Sequence, residues 1–343
     1  MTEQKVSNGL QMFDRSSKPI KNDVSPPSSS SSSSKSWLPA RVVFVIMSFF
    51  GFNLLYAYKV VLSMSIIAMI NPNISHTQTS GSECLSSKSD DQEIFPGVKH
   101  DWDSEIKNQV LMAFFYGYVL TQIPAGILGG KLGAKWIFSG SLLITGIFSI
   151  LGPISARLDY RLFMLTRIIQ GLAEGVVFPC TNCLIAQWIP KLERSRGTTI
   201  IQIGAMSGTV ITLPMTAFLN KSDFLGSWES TFYILGAAGI IWFILFAILI
   251  YESPEVHPFI SDEERDYIIS NGGGLKTRDN IQIPWKDILT SVPVWALIFT
   301  HFGQNWGFLT VLNLMPTYVT NVLHLKTNKV CLFNLFEIKF TII

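Results

Sequence analysis

The chain has 343 residues, of which 48% are hydrophobic and only 15% charged. Soluble domains carry about 25% charged residues, so this composition excludes a pair of ordinary soluble domains. The net charge of +2 is too small to suggest a nucleic-acid partner, and four cysteines in a chain this long make no disulfide framework.

Residues 1–40 are a different material from the rest. They hold Pro26-Pro27 followed by an unbroken serine run from Ser28 to Ser34. Such a segment has too little apolar surface to fold, and a disordered cytoplasmic tail is expected. The first apolar run begins too late and is too long for a signal peptide, so it is expected to stay as a membrane helix.

Seven apolar runs follow, at 42–70, 108–130, 136–156, 162–188, 197–219, 230–251 and 292–316. A bilayer core needs about 20 apolar residues in a helix. In lipid each backbone N–H and C=O needs an internal partner, so runs of this length are helices. Barrel strands would be shorter and alternate in polarity. The predicted fold is an all-α membrane protein: a six-helix half over 41–251, a cytoplasmic loop over 252–291, a seventh helix over 292–316 and a short tail over 317–343.

Orientation follows from lysine and arginine. With the amino terminus in the cytoplasm, the inside segments hold fifteen of them and the outside segments nine. The positive-inside rule favours that arrangement. Two sequons, Asn73-Ile74-Ser75 and Asn220-Lys221-Ser222, then fall outside, which makes Asn73 and Asn220 candidate glycosylation sites.

Three charges lie inside the apolar runs. A charge at mid-bilayer costs about 2.5–3.5 kcal/mol on insertion scales, so such residues face a polar cavity or pair with one another. Lys59 lies roughly 16 Å from the end of its run, too deep to reach the interface easily. Arg167 and Glu174 fall within about 20° of one helix face and about 10 Å apart along the axis. A cation and a carboxylate on a cavity wall suit an anion carrier: the cation attracts substrate, and the carboxylate exchanges a proton. The structural alternatives are an interfacial or interhelical role for Arg167, and a Lys59 that only neutralises Glu174. His301, Gln304, Asn305 and Asn313 in the seventh run can equally serve as interhelical hydrogen-bonding groups.

Other motifs carry less. Cys180 and Cys183 form a C-x-x-C inside an apolar helix and are read as small packing residues, since the usual redox context is missing. The run Ala125-Gly126-Ile127-Leu128-Gly129-Gly130 suits close helix packing, and the G-K-[ST] of a phosphate loop does not follow it. No Ser/His/Asp set, metal-ligand spacing or paired carboxylates indicates an enzyme.

Several strings now resemble a known family. The second run carries Phe114-Phe115-Tyr116-Gly117-Tyr118 and Thr121-Gln122-Ile123-Pro124-Ala125-Gly126. The fourth carries Arg167-Ile168-Ile169-Gln170-Gly171-Leu172-Ala173-Glu174-Gly175-Val176 and Phe178-Pro179. The loop Pro190-Lys191-Leu192-Glu193-Arg194-Ser195-Arg196 follows. Glu252-Ser253-Pro254, His257-Pro258 and Ile283-Pro284-Trp285-Lys286 come next. Pro293-Val294-Trp295-Ala296 and His301-Phe302-Gly303-Gln304-Asn305-Trp306 complete the set. From about Trp37 to Lys326 the chain resembles the anion:cation symporters of the major facilitator superfamily. That family holds the sodium–phosphate cotransporters, sialin and the vesicular glutamate transporters, and the last string looks like arthropod phosphate-transporter-like and sialin-like members.

The resemblance implies an alternating-access symporter of inorganic phosphate or small organic anions, driven by Na⁺ or H⁺ and needing no other cofactor. It implies substrate-binding roles for Lys59, Tyr116 and Gln304, and coupling or gating roles for Arg167, Glu174 and His301. Lys59 stands where the family has an Arg, keeping the charge but losing the bidentate fork. Gln170 stands where sialin has a further Glu, and Gln304 where the glutamate transporters have an Arg. The loop between the second and third runs lacks the superfamily's Asp. The expected partners are a small anion, the bilayer and other transporter chains; the expected location is the plasma membrane or a lysosomal or vesicular membrane. Family members have twelve helices in two halves, so a chain ending after seven is expected not to transport alone. The competing classes are a non-transporting partner of a full-length carrier and a seven-helix receptor, whose amino terminus would lie outside.

Overall fold

The computed structural model describes residues 39–71, 97–222, 224–274 and 285–321. The serine-rich tail, Asn73 and the tail beyond 321 lie outside the described residues. The order is α1 (Ala40–Met69), α2 (Ser104–Leu132), α3 (Ala134–Leu158), α4 (Tyr160–Glu174), α5 (Val177–Trp188), α6 (Arg194–Lys221) and α7 (Trp228–Leu249). Then come α8 (Asp262–Ser270), α9 (Trp285–Thr290) and α10 (Val292–Asn321). There is no strand among the described residues, only an isolated bridge between Ile70 and His100.

Among the described residues five segments are both long and apolar enough to cross a bilayer: α1, α3, the α4–α5 pair, α6 and α7. Helices α2 and α10, at 29 and 30 residues, have the length as well. The segment expected as a plain loop between the sixth and seventh runs carries α8 and α9.

Local chemistry sets the helix ends. Asp103 Oδ1 accepts from Ser104 N at 2.7 Å to start α2, and Asp159 Oδ1 accepts from Arg161 N at 2.9 Å to start α4. Ser261 Oγ accepts from Glu264 N at 3.3 Å, opening α8 with the S-x-x-E pattern of a capping box. The fourth apolar run is interrupted at Gly175–Val176, directly after Glu174. Pro179 lacks the N–H that would have bonded the Gly175 carbonyl, which loosens that turn.

Three helix pairs build the bundle: α1 with α6, α2 with α4, and α3 with α7. Each is closed by glycine. On α6, Gly204 and Gly208 sit so near the carbonyls of Phe49 and Asn53 on α1 that a Cβ on either would collide with backbone. Gly171 of α4 and Gly175, just past its end, abut the backbone of Phe114 and Tyr118 on α2, and Gly117 abuts Ile168 in return. Gly146 of α3 and Gly236 of α7 face each other's carbonyls at 3.0 and 2.8 Å from an added Cβ. This is the small-residue packing that membrane helices use when water supplies no driving force between them.

Aromatic side chains fill the remaining interior. Phe138 meets Trp242 and Phe246 edge-on at 5.3 and 5.2 Å, and Trp242 Nε1 donates to Met47 O at 3.0 Å, tying α7 to α1. Gly133, at φ +88°, makes the one-residue turn between α2 and α3. Just past this turn, Lys135 Nζ donates to Ala247 O at 3.0 Å and Lys135 N to Glu252 Oε2 at 3.2 Å. These bonds tie the start of α3 to the end of α7.

The α8 segment folds back onto the bundle. Glu264 accepts from the backbone N of Ala40 and Arg41 at 3.0 and 3.1 Å, capping α1 with a carboxylate where the helix dipole favours one. Arg41 Nη1 pairs with Glu193 Oε2 at 3.0 Å, and Tyr267 OH donates to Glu193 Oε1 at 3.0 Å. Lys191 N donates to Asn271 O at 3.2 Å and Gly274 N to Gln187 O at 3.0 Å, clasping the turn between α5 and α6.

Candidate functional site

Helix phase decides which side chains of α2 meet α4. Positions 114, 117, 118 and 121 share one face, the i, i+3, i+4, i+7 stripe, and that face packs on Gly171 and Gly175. Tyr118 therefore points into the bundle, where its ring lies 5.9 Å from Phe114. Tyr116 lies off that stripe and is 61% exposed. The structure does not bring the expected Tyr116 to Lys59; it brings Tyr118.

Lys59 is half-buried on α1. Its Nζ lies 4.5 Å from the ring centroid of Tyr118, 4.8 Å from Tyr56 and 5.6 Å from Phe178. Rings from α1, α2 and α5 thus surround the ammonium, and it makes no ion pair among the described residues. A ring face attracts a cation by about 0.5–2 kcal/mol without cancelling its charge.

Arg167 and Glu174 lie deeper, 2% and 0% exposed. They are sealed inside the bundle and not on an open cavity wall. Arg167 sits over Phe232 and Phe163, 5.1 and 5.5 Å from their centroids. Its Nη1 donates to Gln170 Oε1 at 2.9 Å, and Gln170 Nε2 donates to Thr145 O at 3.2 Å. Arg167 Nη2 and both carboxylate oxygens of Glu174 have no hydrogen-bond partner among the described residues. Lys59 and Arg167 are the two cations whose fields act on Glu174, and Tyr56, Tyr58 and Tyr118 lie within the field of its carboxylate. A buried charge without direct partners is costly, so such groups concentrate where a site uses them.

The remaining expected residues lie elsewhere. His301 and Gln304 are exposed on α10, and the cluster around Lys59 is assembled without them. Asn220, a candidate glycosylation site by its sequon, is buried. It is 2% exposed at the end of α6, and its Nδ2, the atom a glycan would occupy, donates to Met64 O at 3.3 Å. The folded chain leaves no room for a sugar there. Sequence reasoning had missed Tyr56, Tyr118 and Phe178; the glycine stripe on α4, read as a phase marker for α2, would have found Tyr118.

A family model described as Major Facilitator Superfamily matches residues 42–340. The chain belongs to that superfamily.

Among its relatives, human sialin is 35% identical over 295 residues, covering 84% of this chain and 58% of that protein. A Drosophila ananassae protein called "Putative inorganic phosphate cotransporter" is 38% identical over 291 residues, 82% of this chain and 59% of the relative. Human vesicular glutamate transporter 2 is 34% identical over 297 residues, 85% of this chain and 48% of the relative. The chain thus spans less than two thirds of the length of these relatives. Solved structures agree on the fold. A proton:xylose symporter bound to 6-bromo-6-deoxy-D-glucose superposes with a TM-score of 0.62 at 14% identity, covering 88% of this chain and 68% of that one. An occupied, inward-facing bacterial homologue of the human lysosomal transporter spinster gives 0.57 at 15% identity, covering 86% and 57%. The superfamily it belongs to is one of membrane transporters and not of enzymes.

Proposed function

We propose that the chain belongs to a symporter of inorganic phosphate or a small organic anion, coupled to Na⁺ or H⁺. Lys59 receives the anion, and Glu174, with Arg167 behind it, is the coupling group. The observation that carries this reading is the ring-lined setting of Lys59. An ammonium held by three aromatic faces and no carboxylate keeps its positive charge available to a ligand. Its half-buried position lets a ligand reach it, while Glu174 lies sealed one layer deeper. A change in the charge at Lys59 therefore acts directly on Glu174 through a low-dielectric interior. When the anion arrives, the field of Lys59 at Glu174 is partly cancelled, and the carboxylate binds a proton or cation more readily. Binding of the two is linked in the sense that symport requires.

The same reading places the amino terminus in the cytoplasm, supported by the fifteen-to-nine lysine and arginine distribution. The membrane is plasma, lysosomal or vesicular, in line with the relatives named sialin and vesicular glutamate transporter. Tyr118, Tyr56 and Phe178 position the Lys59 ammonium. Uptake of labelled phosphate, glutamate and sialic acid into proteoliposomes by a twelve-helix form, with imposed Na⁺ or pH gradients, tests this. Accumulation of an anion above its equilibrium level under one gradient supports the reading; transport of neutral solutes only would overturn it.

A further inference from the structure

A second convergence of aromatic, acidic and basic side chains lies at the end of the bundle where α1 stops and α2 starts. His100 is its centre. Its backbone N donates to Met69 O at 2.7 Å and its carbonyl accepts from Asn71 N at 3.2 Å, stitching the segment before α2 to the end of α1. The imidazole stacks on Trp102 with centroids 4.9 Å apart and planes 19° from parallel. Its other side meets the edge of Trp228 at 6.0 Å. Trp228 opens α7, and its Nε1 donates to Val98 O at 2.9 Å. The ring thus joins the ends of α1, α2 and α7.

The charged groups that face His100 come from three elements. Asp101 is on its own segment, with Oδ1 accepting from Asn71 Nδ2 at 3.2 Å. Arg157 comes from α3 and Glu229 from α7. Glu229 is 2% exposed, and both its oxygens are taken by Arg157, from Nε at 2.9 Å and Nη2 at 2.7 Å. The end of α1 contributes Asn71 and the Met69 carbonyl. His100 Nε2 is buried and has no hydrogen-bond partner among the described residues.

A neutral imidazole suits this slot: an apolar body between indoles, with one nitrogen that needs no strong acceptor. An imidazolium does not, because it needs two acceptors, and both oxygens of the buried Glu229 are already taken by Arg157. We propose that this clasp is a proton-operated switch, packed while His100 is neutral and loosened when His100 takes a proton from the aqueous side it borders. Burial pushes His100 below the ordinary imidazole value of 6.5; Arg157 pushes the same way, while Glu229 and Asp101 oppose. In the opened clasp the imidazole regains its ordinary value and binds the proton more readily. The packed form is therefore fully favoured above pH 6.5 and loses stability as the pH falls through and below that value. Acidification on that side loosens the contacts that join the ends of α1, α2 and α7.

The test reads local opening and not uptake, so it is independent of the anion reading. Hydrogen–deuterium exchange of the 343-residue chain in lipid nanodiscs, corrected for the intrinsic pH dependence of exchange, compares wild type with His100→Phe. Phe keeps the stack and cannot titrate. In wild type, exchange over residues 97–103 and the start of α7 should rise at least about twofold between pH 7.5 and pH 5, and in H100F it should stay flat. An equal rise in the variant, or none in wild type, overturns the proposal. Titration of ¹³C-labelled histidines on the wild-type chain supplies a second reading. A His100 midpoint below 6.5 supports the switch, and one at or above 6.5 contradicts it.

Discussion

Arg167 and Glu174 share a face of α4, are both buried, and form no ion pair. Arg167 Nη1 donates to Gln170 at 2.9 Å, and both oxygens of Glu174 are left without a hydrogen-bond partner among the described residues. The seven-residue spacing keeps them about 10 Å apart along the axis, so the helix itself prevents their neutralising each other. What acts on Glu174 is the field of Arg167 below and of Lys59 beside it.

If Glu174 is the coupling group proposed above, that arrangement makes it replaceable for folding and needed for coupling. Glu174→Gln removes a sealed charge that has no ion-pair partner to lose, so the thermal midpoint in detergent should hold or rise. In a twelve-helix form, gradient-driven accumulation of the anion should be lost while exchange down its own gradient persists. Side-by-side counterflow and uptake assays measure both.

The close approach of α2 and α4 gives a steric prediction. A Cβ on Gly171 would strike the Phe114 carbonyl, whereas one on Gly140 would meet nothing within 4 Å. Gly171→Ala should destabilise the chain by about 1–3 kcal/mol. Gly140→Ala, in the interior of α3, should stabilise it by up to about 1 kcal/mol. Thermal midpoints of the two variants should move in opposite directions.

At the other end of α1, Glu264 does two jobs: it accepts from the N–H groups of Ala40 and Arg41 and lies 3.8 Å from Arg41 Nε. Glu264→Ala should cost about 1–2 kcal/mol, the range of a lost helix cap. Glu264→Gln should recover part of it, because the amide oxygen still accepts. Limited proteolysis between α7 and α8 should speed up in the alanine variant, and unchanged cleavage would count against the docking of α8.

The burial of Asn220 predicts that no glycan is carried there. Asn220→Gln should leave the gel mobility of the expressed protein, and its response to an endoglycosidase, unchanged.

Much of this was legible in the sequence. The apolar runs marked the spans because lipid admits long helices and little else, and the motifs from Phe114 to Trp306 pointed to the superfamily that the family model confirms. The positions of α8 and α9 were less legible. They are short helices in a polar segment, and α8 is held by Glu264 reaching over 220 residues back to Ala40, which no local pattern announces. At the site, Lys59, Arg167 and Glu174 stood out because charge is rare in an apolar run. Tyr118 did not, because Tyr116 and Tyr118 are the same residue type two positions apart, and only the phase set by Gly117 against α4 separates them. The burial of Asn220 was hidden for a related reason: three residues specify a sequon, and burial is decided by α1, which is distant in sequence.

The central claim is that the ring-held ammonium of Lys59 is the anion's cation, and substitution at that position tests it most directly. Labelled-anion uptake into proteoliposomes should be measured for wild type, Lys59→Arg and Lys59→Ala in a twelve-helix form. Arg should support uptake, with affinity equal or higher through its bidentate fork, and Ala should abolish it while the protein still folds. Undiminished uptake by a folded Lys59→Ala protein would contradict it.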